Sequence, residues 1–401
     1  MTDGYPNSVL LVTPRWTRNG GVGAHVLASA EVLARHGIEV SVLVARAESH
    51  EPPDGVTIHQ SPELFDTQRP MDARLAPVSS LKPDVVHLHQ VDHPDILEAL
   101  RRRAPVLISA HAYAACTSGV HHFRPGHECD RPHGTGCVPN LALRGCAHTR
   151  HVKAVARTYL RMSRVLRALR GADLAVSYSA AVDRHLAVNG VSRRAIVPLF
   201  STMATTSGSG HQTRRRVLFA GRVVKPKGVD VLVRAAREVD AEFVICGEGV
   251  GLEHVRMLAR RLGVGERVRF DGWVDPQTLA RELAEASIVV LPSVWPEPFG
   301  LVGIEALASG RPVVASMTGG ICDWLENGVS GLGVQPGDPR ALAGALNELL
   351  ADPDRQSAMG AAGREMVAAR FSPARHVEGL LRSYRSARSN WLSERSQTSD
   401  A

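Results

Sequence analysis

The chain has no apolar run approaching the roughly 20 residues that a membrane-crossing helix needs, and its start, MTDGYPNS, lacks the basic segment of a secretory signal. The expectation is therefore a cytoplasmic protein, with peripheral contact at the inner, anionic face of a membrane left open. Lysine is almost missing. It occurs only at Lys82, Lys153, Lys225 and Lys227, so arginine carries nearly all of the positive charge and two of the few lysines share one loop. The six cysteines contain no C-x2-C pair, which excludes the paired-thiolate zinc motifs. GEGVGLE, residues 247–253, has Leu252 where a dinucleotide fingerprint needs a third glycine.

At 401 residues and 44% apolar content the chain exceeds one ordinary core and is expected to form two domains. A formal charge of +7 suits an anionic ligand or a negatively charged membrane surface; a nucleic acid partner is not expected. SVLLVT (8–13), VSVLVA, VVHLH, VLISA and LAVS are strand patterns separated by helical stretches. That alternation predicts a mostly parallel sheet covered on both faces. STMATTSGSGHQT, residues 201–213, is poor in apolar residues and reads as a linker. After it the alternation restarts with RVLFAG, EFVICG, RVRFDG, SIVVLP and PVVAS. The predicted boundaries are 1–200, the linker 201–213, 214–370, and a helix at 371–395 packing back on the domain junction. SERSQTSDA at the end is expected to fray.

Chemistry-bearing residues fall at strand ends. In WPEPFGLVGIE (295–305), Glu297 and Glu305 frame a turn that opens a helix. The backbone N–H groups of Phe299, Gly300, Leu301 and Val302 sit at the positive end of that helix, which favours phosphate or hydroxyl-bearing ligands. A carboxylate at Glu297 accepts from sugar hydroxyls; a plain helix cap is the alternative. GRVVKPKG (221–228) lies between a strand and a helix, so Arg222 and Lys227 project where an anion would sit. Gly247 in the 247–253 loop and Gly20, Gly21 and Gly23 after the first strand permit close backbone approach, the latter to a diphosphate. A two-carboxylate hydrolase needs carboxyls about 5–5.5 Å or 6.5–9.5 Å apart. An unbroken helix would hold Glu297 and Glu305 about 12 Å apart by rise alone.

GRVVKPKG, then GEG, then EPFGLVGIEALASGRPVVAS, GG at 319–320 and ENGVSGLGV together resemble the family 4 retaining glycosyltransferases of the GT-B fold, the glycosyl transferases of group 1. The two glutamates match that family's E-x7-E motif. The resemblance implies an α/β protein with two Rossmann-like domains facing across a cleft, the first on the acceptor side and the second binding the nucleotide sugar. It implies a metal-independent hexosyltransferase that needs no cofactor and moves a sugar from a UDP- or GDP-sugar, with retention, to a hydroxyl acceptor. The acceptor would be a glycan, a lipid-linked group or a small molecule, in polysaccharide or glycoconjugate biosynthesis. A non-catalytic sugar-nucleotide-binding protein of the same fold is the other reading, and no lysine motif for a phosphorylase's pyridoxal cofactor is present. By the match, Arg222 and Lys227 hold the diphosphate, Glu305 the ribose hydroxyls, and Glu297 with the 299–302 backbone the sugar. His111, in VLISAHAY, matches the histidine that contacts the donor sugar near the anomeric centre. Relatives often continue with Asp where this chain has Ala112, and IVPLFS replaces their Pro-Asn-Gly turn. His87 and His89 alternate on one strand and read as packing groups behind the site.

Cys116, Cys129, Cys137 and Cys146 are spaced by twelve, seven and eight residues, with His121, His122, His127 and His133 among them. A structural zinc, free thiols and disulfides all fit this loop. The resemblance adds a role in shaping acceptor entry. TRHVKAVARTYLRMSRVLRALRG is an amphipathic helix whose apolar stripe faces either the core or a membrane.

Overall fold

A computed structural model describes residues 5–17, 21–47, 51–66, 68–90, 94–113, 129–143, 146, 151–203 and 215–399. These fall into two compact units. The first takes the described residues up to Leu199, Cys129 apart, together with those from Pro373 on; the second takes Cys129 and the described residues of 200–372.

In the first unit, β1 (Ser8–Trp16), β2 (Glu39–Ala47), β3 (Val56–Gln60), β4 (Val85–His89), β5 (Val106–Ala110), β6 (Leu174–Ser177) and β7 (Arg194–Ile196) form one seven-stranded sheet in the order β3-β2-β1-β4-β5-β6-β7. Every pairing in it is parallel. In the second, β8 (Arg216–Ala220), β9 (Glu242–Cys246), β10 (Val268–Gly272), β11 (Ile288–Leu291), β12 (Val313–Ser316) and β13 (Gly331–Val334) form a six-stranded parallel sheet, β10-β9-β8-β11-β12-β13. The expected pair of Rossmann-like units is thus what the chain forms. Their central strands, such as VVHLH and IVVL, are buried at every position because helices cover both faces.

Strand order reverses between β1 and β4 in the first sheet and between β8 and β11 in the second. At such a switch point the loops leaving neighbouring strands diverge to opposite faces, and the crevice beyond their carboxyl ends is where open α/β sheets take ligands. The segments after β8 and β11 carry GRVVKPKG and WPEPFG.

The last helix, Pro373–Ser399, belongs to the first unit. Tyr384 is buried and meets His87 Nδ1, Asn390 Nδ2 donates to Asp173 O, and Trp391 Nε1 donates to Arg101 O. These anchors carry the helix to Ser399, well into the tail expected to fray. The Arg-rich helix runs Val152–Gly171, with Met162, Val165, Leu166, Ala168 and Leu169 buried. Its core face is therefore the carboxyl-terminal half; Val152 and Leu160, nearer the start, are exposed. Of the linker, 204–213 lies outside the described residues.

Candidate functional site

Glu297 is the centre of the second unit's switch point. Its side chain is 3% exposed, and its Oε1 accepts from Lys227 Nζ at 2.7 Å, Ser293 Oγ at 2.5 Å and Trp295 Nε1 at 3.1 Å. A buried carboxylate is tolerable only when paired and hydrogen-bonded, and here all three donors engage one oxygen, none of them Oε2. Lys227 comes from the loop after β8, Ser293 and Trp295 from the segment after β11, so the pair ties the two diverging loops together. Gly228 makes this approach feasible: its φ is +67°, and a Cβ there would stand 1.9 Å from Pro292 O. Arg222 is exposed and has no ion-pair partner among the described residues.

The helix Leu301–Ala308 begins at Gly300, with no side chain capping its first N–H groups. Those donors are left for a ligand or water. Trp324, fully buried, fixes this end: its Nε1 donates to Phe299 O at 2.6 Å and its ring lies where a Cβ on Gly303 would be. Gly319 lies flat against Glu297 in a parallel bridge, and Gly320 N donates to Glu297 O at 2.6 Å. Glu297 therefore precedes the helix, and the 12 Å separation from Glu305 based on an unbroken helix does not apply. Glu305 sits in the helix, half-buried, and burial pushes its carboxyl up to about 7.

Gly247 does permit a close approach, and the partner is the protein itself: a Cβ would fall 1.8 Å from Gly221 O. Gly221 N donates to Cys246 O and Val223 N to Glu248 O, so the 247–251 loop braces the Arg222 loop from beside it. In the first unit Gly20 lies outside the described residues; Gly21 opens the helix Gly21–Arg35 where a Cβ would meet none of the described residues, and Gly23 packs on Thr17, whose O lies 2.6 Å from a Cβ built there.

His111, one residue past β5, is half-buried, and its Nε2 meets His89 Nδ1 at 3.0 Å. Around it the fold gathers His25, His87, His89, His376 and Tyr178, all buried. The ring of Tyr178 lies 5.0 Å from those of His111 and His25. Ser109 Oγ links Tyr178 OH to His87 Nε2, and His376 Nδ1 donates to Pro198 O. Burial lowers these imidazoles, His87 and His111 to about 3 and His376 to about 4. They are neutral at physiological pH. Sequence reasoning reached His87, His89 and His111 but not His25 or His376, and it missed Ser293, Trp295 and Trp324; Ser293 lies four positions before Glu297, which is the one local signal available.

Cys116, His121, His122 and His127 lie outside the described residues. Cys129, Cys137 and Cys146 are half-buried, and Cys137 opens a short helix, Cys137–Leu143. His133 Nε2 is engaged by Ser163 Oγ at 2.8 Å. Among the described residues no three His, Cys, Asp or Glu side chains are grouped to hold a metal, and no helix is long and apolar enough to cross a membrane.

Residues 207–366 match the family described as Glycosyl transferases group 1. The chain is 30% identical to a D-inositol 3-phosphate glycosyltransferase 1 of Catenulispora acidiphila, over 92% of this chain and 91% of that one. It is 37% identical over 142 residues to an uncharacterized glycosyltransferase of Methanocaldococcus jannaschii, 34% of this chain and 36% of that one. Among solved structures it is similar to Anabaena HepE in complex with UDP and glucose, with a TM-score of 0.69 and 18% identity, covering 94% of this chain and 98% of that chain. The same fold is thus present there, two Rossmann-like parallel sheets of the GT-B kind.

Proposed function

The chain belongs to the glycosyl transferases of group 1, and from that premise we propose that it moves a hexosyl group from a UDP- or GDP-sugar to a hydroxyl acceptor, with retention and without a metal. One observation carries this reading: Lys227 pairs with a buried, hydrogen-bonded Glu297 just before an uncapped helix start, at the switch point from whose β8 loop the exposed Arg222 also comes. When the bond from the anomeric carbon to the diphosphate breaks, its electron pair goes to a phosphate oxygen. Two cations and oriented N–H groups stabilise that charge without reorganising. The acceptor oxygen bonds the anomeric carbon on the same face, and its proton passes to the departing phosphate.

In this reading Oε2 of Glu297 and the 299–302 backbone take sugar hydroxyls, and Glu305 takes the ribose. His111 contacts the transferred sugar. HepE, solved with UDP and also with UDP-glucose, supports uridine nucleotides as the first donors to test. The Catenulispora relative's name supports a phosphorylated cyclitol as the first acceptor, and a basic chain suits it. The site of action proposed is cytoplasmic, with the exposed start of the Val152–Gly171 helix as the surface that would meet an anionic membrane.

A thermal-shift series with UDP, GDP, ADP and their sugars, followed by NMR of the product's anomeric configuration with EDTA present, tests the proposal. Stabilisation by one diphosphate series and a product of unchanged configuration are expected. Inversion, or a requirement for divalent metal, overturns the mechanism; binding without transfer to any acceptor favours a sugar-nucleotide-binding protein, the reading that Ala112 keeps open.

A further inference from the structure

The contact between His89 and His111 holds one proton. His89 Nδ1 and His111 Nε2 are 3.0 Å apart, both rings are buried enough to be neutral, and each neutral imidazole carries a single N–H. Two arrangements satisfy the contact. Either His89 donates from Nδ1 to a bare His111 Nε2, or His111 donates from Nε2 to a bare His89 Nδ1.

The far side of His89 decides between them. His89 is 1% exposed, and its Nε2 has no hydrogen-bond partner among the described residues. In the second arrangement that nitrogen would carry the ring's proton, a buried N–H with nothing to receive it. In the first it is a bare lone pair, and buried acceptors go unpartnered with less penalty than buried donors. His89 then bears its proton at Nδ1, and His111, its Nε2 occupied as an acceptor, bears its own at Nδ1. No described residue takes His111 Nδ1, and the ring is only half-buried.

We propose that His89 is a positioning residue that fixes His111 as the Nδ1–H tautomer, so that His111 presents a hydrogen-bond donor to a substrate oxygen. This rests on the reading of His111 as a sugar contact and sharpens it: the ring can hold a hydroxyl or ring oxygen, and it cannot remove a proton from the acceptor through Nδ1. The neighbours are of one kind. Tyr178 and His25 pack against His111, His87 stacks on His89 with ring centroids 4.2 Å apart, and among the described residues no carboxylate is bonded to either ring.

Long-range 15N–1H NMR of histidine-labelled, ligand-free protein reads the tautomer directly, with the His111 signals identified by their loss in His111→Gln. The expected pattern is a protonated, pyrrole-type Nδ1 and a bare, pyridine-type Nε2 for His111. The reverse pattern, or an imidazolium at pH 7.5, overturns the proposal. Replacement tests the role. His89→Leu is expected to lower kcat about tenfold by removing one hydrogen bond to the ring, and His89→Asn, whose amide offers a donor near the Nδ1 position, to restore it to within about threefold of wild type. Equal rates for the Leu and Asn variants overturn the positioning role. A wild-type protein that transfers no sugar sinks the functional reading instead, while the ligand-free NMR pattern still stands or falls by itself.

Discussion

Lys227 and Glu297 are 70 positions apart in the chain and meet at 2.7 Å, joining the loop after β8 to the segment after β11. The pair makes the switch point of the second sheet a charged, ordered place before any ligand arrives. A departing diphosphate would compete with Glu297 for the ammonium. The carboxylate has Ser293 and Trp295 to keep it in place as that happens.

Lys227→Ala is expected to abolish stabilisation by nucleoside diphosphates and to lower transfer by about 10²–10³-fold, the scale of one preorganised charge-stabilising group. Removing one partner of a fully buried pair costs about 3–5 kcal/mol. Lys227 is 23% exposed, so water reduces this to about 1–2 kcal/mol. A thermal shift by diphosphate that survives in the variant would place the anion elsewhere.

Gly319→Ala is expected to damage the site through backbone alone. At φ +60° and ψ −136° a side chain is strained, and its Cβ would lie 2.3 Å from Glu297 O. A loss of about 1–3 kcal/mol follows from the strain, with weaker nucleotide binding because Glu297 shifts. Calorimetry that finds wild-type affinity in the variant would show that the clasp does not position Glu297.

Acid should unfold the first unit ahead of the second. His25, His87, His89, His111 and His376 are all held below the ordinary histidine value of 6.5 by burial. A lowered folded value means the unfolded chain binds more protons, so the stabilisation is complete above about 6.5 and drains away as pH falls, toward about 3 for His87 and His111 and about 4 for His376. At pH 5 the contributions of His87, His111 and His376 have each fallen by up to about 2 kcal/mol. Hydrogen exchange at pH 8 and pH 5 measures this, and protection of β4 and β5 that is unchanged at pH 5 would contradict it.

Glu305 works in the opposite direction. Its carboxyl is raised to about 7, so its contribution to stability is present below about 4.3, declines as pH rises toward 7, and is constant above. If Glu305 takes the ribose hydroxyls as proposed, its ionised form accepts from them more strongly than the neutral acid, so affinity for a nucleotide sugar should increase through pH 7. A sugar diphosphate diester has no titrating phosphate there, which makes it the right ligand for calorimetry at pH 6, 7 and 8. A pH dependence that persists in Glu305→Gln would remove the carboxyl from the explanation.

The chain's order of elements was legible because parallel strands buried on both faces read as short apolar runs, and because Gly and Pro mark the loops between them. GRVVKPKG and WPEPFG could be placed at strand ends for the same reason. Their partners could not. Trp324 reaches Phe299 from 25 residues away, and nothing near it in sequence shows that its ring occupies the space Gly303 leaves. The GEG loop shows the limit from another side: glycine announces a close approach without saying to what, and the answer was the Gly221 backbone. Of the histidine cluster, His87, His89 and His111 were legible at their strand and strand end, but not that His25 and His376, on two helices some 350 positions apart, join them.

Helix Pro373–Ser399 completes a core begun at Ser8. His87 Nδ1 therefore lacks its tyrosine, and Ser29 Oγ its link to His376, until the chain beyond residue 372 has been made and has docked. The usual order, amino-terminal domain first, is not open to the first unit: its two stretches are separated in the chain by the second unit, so its full set of native contacts waits for a segment synthesised after 200–372.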